Sequence, residues 1–155
     1  MTQKILIALD DSENALRAVS YVAANFQNHA AVTLFSVLSD TASLCDMNSP
    51  ELTPLFKAQQ SSFCQLEDKK RSLVNAACEK GKQILCDAGW DPAYIALKAQ
   101  PKRKGIARDI IQEASQGYDL IVIGKHGVRR IRYFFLRCIP QKVLQIAKEV
   151  SVLIL

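Results

Sequence analysis

Leu120-Ile121-Val122-Ile123, followed at once by Gly124-Lys125-His126-Gly127, decides how the rest of the chain is read. A short, continuous run of aliphatic, mostly β-branched residues is the pattern of a strand covered on both faces, as in a parallel sheet. Glycines just past its carboxyl end let backbone N–H groups approach a ligand closely. A turn of this kind leading into a helix is a common phosphate cradle.

Working outward, the same alternation recurs along the chain. Lys4 to Leu9 predicts a first strand, and Asp10, Asp11 and Ser12 offer capping oxygens to a helix over 13–26. Leu16, Val19, Val22, Ala23 and Phe26 form its apolar stripe. Val32 to Leu38 predicts a second strand. Residues 39–62 show no sustained period, and Pro50 and Pro54 mark them as a long connection with a short helix near Leu55 to Gln60. Leu66, Leu73, Ala77, Ile84 and Leu85 trace the face of a long helix that ends near Ala88, with Gly89 just beyond. Ala93 to Ala99 predicts the third strand, and Ile106, Ile110 and Ala114 a helix that stops at Gly117. Pro140 opens a last helix, where its missing N–H is tolerated, and Val150 to Leu155 is the last strand. Strands alternating with helices predict one α/β domain over 1–155: a parallel sheet with right-handed crossovers and helices on both faces.

Asp119 to Gly127 (DLIVIGKHG), Gln141 to Ala147 (QKVLQIA), Val150 to Leu155 (VSVLIL) and the opening Lys4 to Ala18 together resemble the universal stress protein family. The likeness runs from Lys4 to Leu155. It implies a Rossmann-like, five-stranded sheet in the order 3-2-1-4-5, which periodicity alone cannot supply. In that order the strand sequence reverses between the first and fourth strands, where open α/β sheets bind ligands. The resemblance implies that Asp10 and backbone near Val37 lie around an adenine and ribose. It also implies that Gly124 and Gly127 lie beside the ribose and phosphates, and that positions 137 and 138 hold the phosphates. His126 stands in the same turn, within reach of a phosphate.

Nucleotide-binding members of that family carry G-x2-G-x9-G-[ST]. This chain keeps Gly124, Gly127 and the spacing but has Arg137 and Cys138 where the glycine and hydroxyl belong. A Cβ and a long side chain at 137 block close approach of phosphate to the main chain, whereas a guanidinium is itself a bidentate phosphate ligand. Cys138 offers only a weak S–H donor. Each residue also has a scaffold reading. Asp10 caps the first helix, Gly124 and Gly127 allow a tight turn with positive φ, and Arg137 points into solvent.

The chain has 155 residues, is 49% hydrophobic and has net charge +5. It contains no apolar run long enough to span a membrane, and Met1-Thr-Gln-Lys4 enters the first strand without an apolar leader, so a cytoplasmic protein is expected. The five cysteines include no C-x-x-C pair, which predicts free thiols in a reducing compartment rather than a disulfide framework or metal site. Cys78 and Cys86, on one predicted helix, are about 12 Å apart and too far for a bridge. Two basic clusters stand out: Lys98, Lys102, Arg103, Lys104 and Arg108, then Lys125, Arg129, Arg130, Arg132 and Arg137. They read as solvated faces, since no nucleic-acid recognition motif accompanies them. The chain has no G-x-S-x-G elbow, no G-x4-G-K-[ST] loop and no metal triad, and lacks the Ser-Gly-Gly-x-Asp-Ser loop of related adenylating enzymes. The expectation is a regulatory or protective stress-response homodimer, paired through its last strand. Its adenine-nucleotide site is degenerate, with ATP or AMP as the ligand if there is one. A slow ATPase in which Arg137 replaces the glycine cradle is the competing reading.

Overall fold

The computed structural model describes residues 2–26, 28–38, 45, 53–125 and 139–155. Five strands, β1 (Lys4–Ala8), β2 (Ala31–Leu38), β3 (Ile95–Pro101), β4 (Leu120–Ile123) and β5 (Ser151–Ile154), form one sheet ordered β3-β2-β1-β4-β5. Every pairing is parallel. The order expected from the family resemblance is therefore the observed one. β1 is central, with Ile5, Leu6 and Ile7 fully buried, which is why its sequence is a continuous apolar run rather than an alternating one.

Helices α1 (Glu13–Asn25) and α2 (Pro54–Asp87) cover one face, and α3 (Ile106–Ala114) and α4 (Ile139–Ile146) the other. Adjacent residues of β1 feed opposite cores. Ile5 and Ile7 join Val19, Val22, Leu34 and Leu85 on the α1/α2 side. Leu6 joins Phe35, Ile110, Ile121 and Val143 on the α3/α4 side. This division follows from the two-residue period of a strand.

Local chemistry fixes the helix ends. Ser12 is the N-cap of α1, and its side chain accepts from Ala15 N. Asp10 sits two residues earlier, its Oδ1 accepting the Ser12 N–H at 2.9 Å. The capping oxygen is thus that of Ser12, and Asp10 shapes the turn that presents it. Thr53 caps α2 and Pro54 follows at its first position.

Three expectations need correction. The connection does not extend to residue 62, because α2 is a single helix from Pro54 with no break near Gln60. Nothing between Lys57 and Asp87 removes a backbone donor, so one helix propagates through polar and apolar positions alike. The buried stripe of α2 is also not the expected one. It consists of Val74, Ala77, Cys78, Gly81 and Leu85, while Leu66 and Leu73 are 66% and 49% exposed. The cysteines, finally, are not all free. Cys45 and Cys64 form a disulfide, fastening the β2–α2 connection to the helix. Cys78 and Cys86 are free, as their spacing requires.

Candidate functional site

The carboxyl ends of β1 and β2 and the start of α3 leave a cleft of about 320 Å³, which α2 walls on one side. Leu9, Asp10 and Asp11 come from the end of β1, and Val37 and Leu38 from the end of β2. Glu67, Lys70, Arg71 and Val74 of α2 close it from the side. Lys102 and Ile106, from the β3–α3 corner, complete the lining. The mouth of a parallel sheet is open here because the crossover helices pack along the strands and leave the strand ends uncovered. Asp10 and Val37, far apart in sequence, meet in this cleft.

Gly124 lies just past β4, outside the lining. The geometry around it explains the glycine. A Cβ built there would sit 2.3 Å from Asn14 O and 2.5 Å from Asn14 C, inside the first turn of α1. Its φ is not positive, so the expected left-handed turn is not what requires glycine at this position. Close packing of β4 against the α1 amino terminus is. His126, Gly127, Arg137 and Cys138 lie outside the described residues, as do Arg129, Arg130 and Arg132 of the second basic cluster.

The first basic cluster is divided among separate tasks. Lys98 reaches over the sheet to Glu113 on α3, at 2.7 Å, and Glu113 also accepts from Tyr118 OH. That carboxylate is buried, so Lys98 supplies its charge partner rather than adding to a free basic face. Lys102 lines the cleft, and its backbone N–H donates to Leu38 O. Arg103 and Lys104 donate their backbone N–H groups to Asp109, at 2.7 and 3.0 Å. Asp109, 1% exposed, thereby pins the β3–α3 corner from inside. Asp109→Ala removes both charge-assisted bonds. The expected cost is about 2 kcal/mol, with faster hydrogen exchange at Arg103 and Lys104 than in the unmodified protein. Unchanged exchange at these two amides would show that the corner holds without the carboxylate.

Sequence reading missed Glu67, Lys70, Arg71 and Lys102 as cleft residues. The α2 residues were detectable in principle from Thr53-Pro54, a helix start that puts residues 67, 70, 71 and 74 on one side of a continuous helix. Nothing local marks Lys102. Among the described residues no group of three or more acidic, His or Cys side chains forms a metal site, and no helix is long and apolar enough to cross a membrane.

A sequence model of the universal stress protein family matches residues 1–155. No curated protein matches the chain significantly. Among solved structures, the universal stress protein UspA from Lactobacillus plantarum is 20% identical, with a TM-score of 0.68 over 99% of this chain and 97% of that one. A universal stress protein solved in complex with cAMP is 17% identical, with a TM-score of 0.63 over 99% and 96%. An Arabidopsis thaliana family protein with AMP bound is 14% identical, with a TM-score of 0.60 over 99% and 90%. At these identities the likeness is one of fold.

Proposed function

This chain belongs to the universal stress protein family, and from that membership we propose that it is a regulatory or protective stress-response protein. Its adenine-nucleotide site keeps the adenosine end and has lost most of the phosphate end. The observation that carries this reading is the meeting of Asp10 and Val37 in one cleft at the sheet's carboxyl edge, combined with Arg137-Cys138 in place of Gly-[Ser/Thr]. Two solved family members hold adenine nucleotides, cAMP in one and AMP in the other, which supports the same ligand class here.

Loss of two hydrogen bonds to phosphate corresponds to about 2–3 kcal/mol, or roughly a hundredfold in affinity. Thermal melts with increasing ATP test the proposal directly. A ligand at a hundred times its dissociation constant adds about 2.7 kcal/mol of stability. The expected result is a negligible shift at ATP concentrations that saturate an intact site. A large shift at micromolar ATP counts against it.

We further propose a homodimer paired through β5. This strand is the sheet edge beside β4, and Val152, Leu153, Ile154 and Leu155 are only half-buried on it. An apolar edge with unpaired backbone groups seeks a partner strand. Deletion of Val150 to Leu155 should convert a sedimenting dimer to monomer or aggregate. A full-length protein that sediments as monomer at micromolar concentration overturns this proposal.

A further inference from the structure

Helix α2 extends well beyond the body it packs on. None of its residues before Val74 is fully buried, and of the stretch from Pro54 to Leu73 only Glu67, Lys70 and Arg71 border the cleft. That stretch is nevertheless not polar. Phe56 and Phe63 are each 38% exposed, and Leu55, Leu66 and Leu73 are still more open. Phe56, Gln59, Phe63, Leu66, Lys70 and Leu73 follow one another at alternating three- and four-residue steps, the spacing of a coiled-coil seam.

We propose that this seam pairs antiparallel with the same segment of a second copy of this chain. The pattern is self-complementary in that direction. When Phe63 is set against Leu66 of the partner, Phe56 falls against the partner's Leu73 and Gln59 against the partner's Lys70. A two-fold axis then repeats each pairing. Every apolar layer joins one Phe to one Leu, and the single charged seam residue, Lys70, which is exposed at the border of the cleft, meets an amide. In the flanking positions Gln60 faces Glu67 and Ser62 faces Lys69, so no like charges oppose. A parallel, in-register pair instead sets Lys70 against Lys70, with like charges in the middle of the seam, so charge selects the antiparallel arrangement.

Cys64 is about 100° around the helix from Phe63 and about 160° from Leu66, so the tether to Cys45 lies on another side. The seam from Phe56 to Leu73 is about 26 Å long, short for a coiled coil, and an association in the micromolar range is expected. It is separate from any pairing through β5 and is read separately.

The test uses the full chain with Phe63→benzoylphenylalanine, mixed in equal parts from isotopically light and heavy preparations and irradiated at about 100 times a micromolar dissociation constant. Light–heavy cross-linked peptides joining position 63 to the segment around Leu66 of the other copy are expected. Adding Leu66→Lys and Leu73→Lys should lower their yield at least tenfold while leaving unchanged the melting temperature measured well below micromolar concentration, where no association contributes, since both side chains are exposed. Cross-links within one chain, light–heavy cross-links elsewhere, or none at all overturn the proposal. If the charged variant fails to fold, the cross-link map of the Phe63 variant alone still decides.

Discussion

Gly124→Ala is expected to lower the melting temperature of the ligand-free protein by roughly 10 °C, corresponding to about 3 kcal/mol. The new methyl would lie 2.3 Å from Asn14 O and 2.9 Å from Ala15 N. These are backbone atoms in the capped first turn of α1, held by Ser12 and by the buried Ala15, and no side-chain rotation relieves the overlap. Either α1 shifts outward or β4 slides, and both movements open a core packed on both sides of β1. Gly117→Ala is the control. Its φ is +91° but a Cβ there meets nothing within 4 Å, so only backbone strain of about 1–2 kcal/mol is expected. The comparison separates two reasons for a glycine after β4. One kept solely for phosphate approach is silent in a ligand-free melt, whereas one kept for helix packing is not. Equal, small effects at both positions would show that α1 yields easily and that the packing account is wrong.

Arg137→Gly combined with Cys138→Ser should raise ATP affinity tenfold or more, because it restores the backbone approach and the hydroxyl donor that nucleotide-binding family members carry. The gain should be confined to phosphate-bearing ligands, with adenosine little changed. Asp10→Ala in that background should lower affinity again by removing an adenosine contact at the cleft it lines. Calorimetry with ATP, AMP and adenosine reads all three effects. Tight ATP binding by the unmodified protein would make Arg137 a phosphate clamp and favour the slow-ATPase reading, then tested by magnesium-dependent phosphate release. No gain in the double variant would mean that the cleft excludes nucleotide for another reason, and Lys70, Arg71 and Lys102 in its lining are the first residues to examine.

Much of the fold was legible because its determinants are local. Continuous apolar runs of four or more residues mark strands covered on both faces, and Ser12 and Gly89 mark helix ends through hydrogen bonds or backbone freedom available to short peptides. The strand order came from the family resemblance of the motifs, since no local rule orders parallel strands. That order pointed to the crevice between β1 and β4; the cleft observed is lined instead from the ends of β1 and β2, where Asp10 and Val37 meet.

What the sequence could not disclose depends on atoms distant in the chain. Gly124 looked like a ligand-facing turn, but its missing Cβ makes room for Asn14. Nothing in the sequence singles out Asp109 and Glu113, yet each is buried because a corner of backbone or a crossing lysine satisfies it. Cys45 and Cys64 carried no spacing signal, because their bridge depends on how the connection lies along α2. Leu66 and Leu73 share helical periodicity with Ala77, but they lie roughly 80–100° around the helix from the buried Val74, away from the stripe that meets the sheet. Periodicity records which residues share a side of a helix. Which part of that side the neighbouring layer covers is a tertiary fact, and it separates a core position from an exposed one.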